Sequence, residues 1–169
     1  MCGKESPLID CFLPPGHIYL GRKPSLIWTV LGSCVAVALW DSRKAIGGMA
    51  HFLYPFTEDR RHATAEYGNV AVRCLVKMFL EKNAQAKDLR AQIFGGAVSG
   101  ATECAKIAEE NVRTARMILR RAHIVIGSED TGGRMGRKIV FNTKSNEAVV
   151  YKVNEIREDD WYPYGHEGI

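Results

Sequence analysis

The chain has 169 residues, of which 46% are hydrophobic, 25% charged and 9% aromatic. That excludes a disordered or collagen-like polymer and fits a single domain over residues 1–169, long enough to bury one sizeable core. The formal net charge is +4, but residues 154–169 carry five acids against one base, which leaves about +8 on residues 1–153. A basic body with an acidic tail attracts acidic surfaces in general; it does not single out nucleic acid, and acidic proteins fit equally well.

Residues 1–16 read as an irregular arm closed by Pro14, Pro15 and Gly16. A short strand is predicted over 17–21, opening a core that runs to about residue 153. Residues 26–31 and 34–40 are apolar and partly β-branched, with Val35, Val37 and Leu39 at period two, and both read as strands broken at Gly32 and Ser33. The apolar run 26–40 has 15 residues, too short for a membrane span, so no membrane insertion is expected. A polar break over 41–44 precedes a further strand over 47–54, so the two strands flanking the break should form a hairpin.

Residues 56–64 read as an exposed loop. From Glu66 the period becomes helical, with Val72, Val76, Phe79 and Leu80 on one stripe and Cys74 among its packing residues, ending near Asn83. Residues 89–93 alternate into Phe94, Gly95 and Gly96, a strand running into a loop. Ala108, Val112, Ala115, Leu119 and Ala122 mark a second helix whose arginines are expected in solvent. A strand over 124–126, a turn-rich acidic loop over 129–133 and a last hairpin of 139–141 with 148–153 complete the core. Leading hairpins followed by separated helices favour an α+β sandwich of layered, mixed or antiparallel sheets flanked by two main helices. The tail over 154–169, with Trp161, Tyr162 and Tyr164 among acids, either docks on the basic body or a partner or stays disordered.

Cys2, Cys11, Cys34, Cys74 and Cys104 contain no CxxC pair, so neither a disulfide framework nor a zinc knuckle is suggested, and a reducing cytoplasm is the expected compartment. His62, His123 and His166 have no ligand spacing and no metal site is expected. A hairpin with a two-residue turn at Ser42 and Arg43 would set Cys34 opposite His51; a longer turn would shift the register and can send the two side chains to opposite faces. A thiol of ordinary pKa is only a few per cent thiolate at neutral pH, whereas an adjacent imidazolium can hold the thiolate as an ion pair. Gly32 and Ser33 allow a tight turn, and the backbone at Ser33 and Cys34 can serve an oxyanion. A packed thiol and a structurally satisfied histidine are the competing reading.

Gly95, Gly96 and Gly100 lack a Walker-type lysine and read as a turn rather than a phosphate loop. Arg134, Arg137 and Lys138 read as a solvated basic loop or an acidic-partner contact, and Glu129 and Asp130 as loop organisers.

Leu31-Gly32-Ser33-Cys34-Val35-Ala36-Val37, Gly48-Met49-Ala50-His51, Phe94-Gly95-Gly96-Ala97 and Glu129-Asp130-Thr131-Gly132-Gly133 stand in the order and wording of a known family. The chain resembles the CheD family of chemoreceptor glutamine deamidases over about residues 25–153. The resemblance implies a sandwich like the catalytic domain of the cytotoxic necrotising toxins and a Cys34/His51 pair that hydrolyses receptor glutamines to glutamate through a thioester. It implies no cofactor, methyl-accepting chemoreceptors as substrate and a CheC-like phosphatase as partner. The family's third residue, a threonine six positions before the cysteine, corresponds to Trp28; Thr29, one place closer, is expected to serve only through a bulge or an altered strand path. The alternative is a catalytically weak protein that binds the phosphatase and receptors.

Overall fold

The computed structural model describes residues 7–98, 100 and 102–156; the aromatic part of the tail, from residue 157, lies outside the described residues. Nine strands form two sheets. In chain order they are β1 (Ile9–Phe12), β2 (His17–Leu20), β3 (Ser25–Leu31), β4 (Val35–Asp41), β5 (Ile46–Phe52), β6 (Leu89–Gly95), β7 (Val125–Thr131), β8 (Gly136–Asn142) and β9 (Ala148–Val153). The helices are α1 (Gly68–Glu81) and α2 (Thr102–Arg121). One sheet runs β1-β3-β8-β9 and the other β2-β5-β4-β6-β7. Each holds one parallel pair, β1 with β3 and β6 with β7, among antiparallel neighbours, so the fold is the layered α+β sandwich with mixed sheets.

Side chains alternate across the five-stranded sheet. Val35, Val37, Leu39, Ala50, Phe52 and Ile93 face α1 and α2, where they meet Val72, Leu75, Phe79, Val112, Ala115 and Leu119. Cys34, Ala36, Ala38, Met49 and Phe94 face the four-stranded sheet and pack on Ile27, Leu31, Ile139 and Phe141. The helices therefore cover one side of the larger sheet, and the second core lies between the sheets.

Four expectations are corrected. Residues 9–12 of the arm form β1, paired in parallel with β3 from Ile9↔Ser25 to Phe12↔Trp28; Pro14 and Pro15 end the strand instead of marking a loose segment. Glu129, Asp130 and Thr131, expected in a turn-rich acidic loop, belong to β7, an edge strand. Arg137 is no solvated loop residue: it lies on β8, only 2% exposed. Cys74, expected to pack, is exposed on α1, because the buried stripe runs through its neighbours Leu75, Ala71 and Val72.

Candidate active site

The β4–β5 hairpin closes with four residues, not two. Asp41, buried before the turn, accepts the backbone N–H groups of Arg43 and Lys44 at 2.9 and 3.1 Å through Oδ1, its carbonyl accepts Ala45 N–H at 2.9 Å, and Ala45 takes φ +52°. The register shifts by two relative to the two-residue turn, so Ala36 rather than Cys34 stands opposite His51. A shift of two preserves the face. Cys34 and His51 thus stay on the same inter-sheet side, the cysteine one step beyond Val35↔Phe52, the last pair of the ladder.

Beyond that pair the chain bends at Gly32 and Ser33, and Cys34 is held by the glycine loop after β6. Gly96 N–H donates to the Cys34 carbonyl at 2.9 Å and Ala97 N–H to the Gly32 carbonyl at 2.8 Å. Gly95 has φ +104°, and a Cβ there would lie 2.2 Å from the Cys34 carbonyl oxygen. Only glycine allows that approach. The loop is the expected turn, with its job now visible: it cradles the backbone of the cysteine. Behind it, Gly132 N–H donates to the Gly95 carbonyl at 3.0 Å, and Arg137 braces the Gly132 turn by donating to the Gly132 carbonyl at 2.8 Å, the Met135 carbonyl at 3.2 Å and Asp130 Oδ1 at 2.9 Å. Asp130 organises this loop as expected. Glu129 instead pairs with Arg116 of α2 at 2.6 Å, so not all of the arginines of α2 are turned to open solvent.

Thr29 lies beside His51. Residues 25, 27, 29 and 31 of β3 point into the inter-sheet core, while Trp28 points outward, 39% exposed, with its Nε1 donating to Asp10 at 3.3 Å. The regular alternation of β3 turns Thr29 inward. Thr29 Oγ1 donates to the Leu13 carbonyl at 2.8 Å and lies 2.8 Å from His51 Nδ1, which is also 3.2 Å from that carbonyl. A carbonyl only accepts and the threonine proton is already engaged, so both contacts are met by a proton on Nδ1. The free lone pair then sits on Nε2, a buried atom with no hydrogen-bond partner among the described residues.

Leu13 had no signal in the sequence, because it contributes a main-chain carbonyl. Its position follows from β1: Leu13 N–H donates to the Trp28 carbonyl at 2.8 Å, and three residues later Gly16 N–H donates to the His51 carbonyl at 2.8 Å. The short connection from β1 to β2 therefore laces the two sheets together at the histidine.

Burial governs the electrostatics. It pushes the Cys34 thiol up to about 11, with the residue's own backbone N–H pulling the other way. It also pulls His51 down to about 4, opposed by the Leu13 carbonyl and reinforced by His17, its cross-strand neighbour on β2. The resting pair is a neutral thiol and a neutral imidazole, not the ion pair expected from the residue types. A neutral imidazole whose Nε2 keeps its lone pair can accept a proton from a thiol; no hydrogen bond joins Cys34 to His51 among the described residues. The Ser33 and Cys34 N–H groups donate to no backbone carbonyl among the described residues. No cluster of three or more His, Cys, Asp or Glu side chains suited to a metal occurs among them.

Residues 54–152 match the family model described as CheD chemotactic sensory transduction; Cys34 and His51 precede that stretch and are placed by the geometry above. The chain is 41% identical over 140 residues to a protein of Trichlorobacter lovleyi named a probable chemoreceptor glutamine deamidase CheD, covering 82% of this chain and 87% of the relative. Proteins of the same name from Sulfurimonas denitrificans and Methanococcus vannielii are 35% and 34% identical over 147 and 145 residues, covering 85% and 84% of this chain and 94% of each relative. With the sandwich, the glycine cradle and these relatives together, the chain belongs to the CheD family.

Proposed function

We propose that this protein deamidates selected glutamine side chains of methyl-accepting chemoreceptors, with Cys34 as nucleophile, His51 as general base and acid and Thr29 as the group that orients the imidazole. The observation that carries this reading is the Thr29–His51–Leu13 cluster, which places a proton on Nδ1 and leaves Nε2 as a buried base without a partner. A structural histidine would have both nitrogens satisfied.

As the carboxamide arrives, His51 Nε2 takes the thiol proton while sulfur attacks the amide carbon, so the thiolate exists only with substrate in place. Backbone N–H groups at Ser33 and Cys34 receive the negative charge on the carbonyl oxygen. The imidazolium returns its proton to the departing nitrogen, releasing ammonia and leaving a thioester. Water then adds with His51 again as base, giving glutamate and regenerating the thiol. No cofactor takes part. With these substrates the site of action is the cytoplasm, and the family resemblance adds a CheC-like phosphatase as regulatory partner, tested by its co-purification with the Cys34→Ala variant.

Incubation with a purified receptor fragment should raise peptide mass by about one dalton at particular glutamines. Cys34→Ala should abolish the change while leaving receptor binding intact. Unchanged masses with a bound receptor would sink the proposal and leave the regulatory binding role.

A further inference from the structure

The hydrogen-bond ladder between β4 and β5 ends at Val35↔Phe52. The next backbone groups outward belong to the segments that carry the proposed chemistry: Ser33 immediately precedes Cys34, and Leu53 follows His51 by two. Their carbonyls cannot bond each other, since both only accept. Asn111, on the buried face of α2 and completely covered, fills this gap: its Nδ2 donates to the Ser33 carbonyl at 3.0 Å and the Leu53 carbonyl at 2.8 Å.

Two converging acceptors require a group with two N–H donors on one atom, and a primary amide is the neutral side chain that provides it. The bonds also settle the orientation of the amide, because a flipped side chain would set an oxygen against both carbonyls. Asn111 Oδ1 is then buried with no partner among the described residues. An apolar side chain here would leave both carbonyls without a donor, so the amide holds the two strand ends together although its own Oδ1 goes unpaired.

Resting on the reading above, we propose that Asn111 is a positioning residue, a clamp that sets the separation of the Cys34 sulfur from the His51 imidazole. It acts from a third element, α2, on the two strand ends beyond the point where their own pairing stops. Nearby, a Cβ on Gly96 would lie 2.5 Å from Val112 and 3.1 Å from the Ala108 carbonyl, so the glycine cradle of Cys34 is seated on the same stretch of helix. The helix thereby references both sides of the cysteine loop.

Three variants of the full chain, Asn111→Leu, His51→Gln and the double substitution, test this by the rate at which iodoacetamide alkylates Cys34 at neutral pH, read by mass on the peptide that carries Cys34 because Cys74 and Cys104 are also free and exposed. Leucine has a similar volume and no N–H. If the clamp works through the histidine, Asn111→Leu lowers the rate about tenfold in the wild-type background and changes it less than about twofold when His51 is already glutamine, the signature of coupled sites. Deamidation by Asn111→Leu falls about a hundredfold in kcat with KM held within about twofold, as expected when reacting groups are misplaced by an ångström or so. Equal alkylation changes in both backgrounds, or an unchanged or raised rate in Asn111→Leu, would overturn the assignment. Should the leucine variant not fold, the same cycle is run with Asn111→Ser, which is smaller and offers one donor in place of two. A wild type that shows the coupled alkylation but leaves receptor glutamines intact retains the clamp and refutes the deamidase reading.

Discussion

The two faces of the five-stranded sheet are built from the same strands and solve opposite problems. Toward α1 and α2 the cluster running through Val37, Phe52, Leu75, Phe79 and Leu119 is predominantly hydrophobic, with Asn111 and Thr114 as buried polar residues of α2. Toward the smaller sheet, Met49, Phe94 and Phe141 share space with buried Thr29, His51 and Arg137. Along β5 the division falls between adjacent residues, Ala50 and Phe52 facing the helices and His51 the other sheet. The helix face supplies most of its free energy of folding through apolar burial. The inter-sheet face gives some of that back by holding an imidazole and a thiol out of water, with His51 Nε2 left unpartnered.

This contrast is open to measurement. Phe79→Ala, on the helix face, should cost about 3–5 kcal/mol in denaturant unfolding while the deamidation rate per folded molecule stays at the wild-type value. A lost rate in the folded fraction would break the separation of the two faces.

Titration should act on the other face. His51 is held at about 4 when folded against an ordinary value near ~6.5 in the unfolded chain. Its contribution is therefore present above that ordinary value and is lost as pH falls through the folded one, a penalty of about 3 kcal/mol that His51→Gln removes. Cys34 has the opposite sign: with its thiol at about 11, stability is complete below the ordinary thiol range and is lost as pH rises toward that value, and Cys34→Ala removes this limb. Unfolding midpoints measured from pH 4 to pH 11 in both variants would reveal the two limbs; identical pH curves in wild type and variants would mean that the pair is not desolvated. The same values give the wild-type enzyme a broad plateau of activity, falling only toward pH 4 and pH 11, in place of the narrow bell of a resting ion pair.

The smallest effect belongs to Thr29→Val. It removes the hydroxyl that bridges His51 and Leu13 but leaves the Leu13 carbonyl 3.2 Å from Nδ1, so kcat should fall about tenfold and stability by about 1 kcal/mol. A loss as large as that of Cys34→Ala would mean that the threonine does more than orient the ring.

Much of this architecture was legible in residue order. The apolar runs of β3, β4 and β5, with Val35, Val37 and Leu39 at period two, and the three-four stripes of α1 and α2 mark the elements now observed, because strands buried on both faces read as continuous apolar runs and helices buried on one face as stripes. Asn111 also left a trace, as a polar residue within the stripe of Ala108, Val112 and Ala115, a position where a side chain must be buried and therefore bonded. Other features left none. β1 is a four-residue edge strand next to two prolines, and its pairing with β3 depends on chain that follows it. The length of the β4–β5 turn depended on Asp41 folding its carboxylate back onto the loop, which residue type alone does not dictate. Arg137 reads as a surface cation until Asp130 and two carbonyls are brought around it.

What the sequence by itself determined is the alternation of side chains along each strand, a local steric property; that Cys34 and His51 share a face waited on the four-residue turn, since an odd change in its length turns one of them away. What only the tertiary structure decided is their chemical state. The proton on Nδ1, the free Nε2 and the neutral resting pair come from Leu13, Thr29 and the loss of water between two sheets, and desolvation is set by whatever distant chain closes over a group, which no local pattern records.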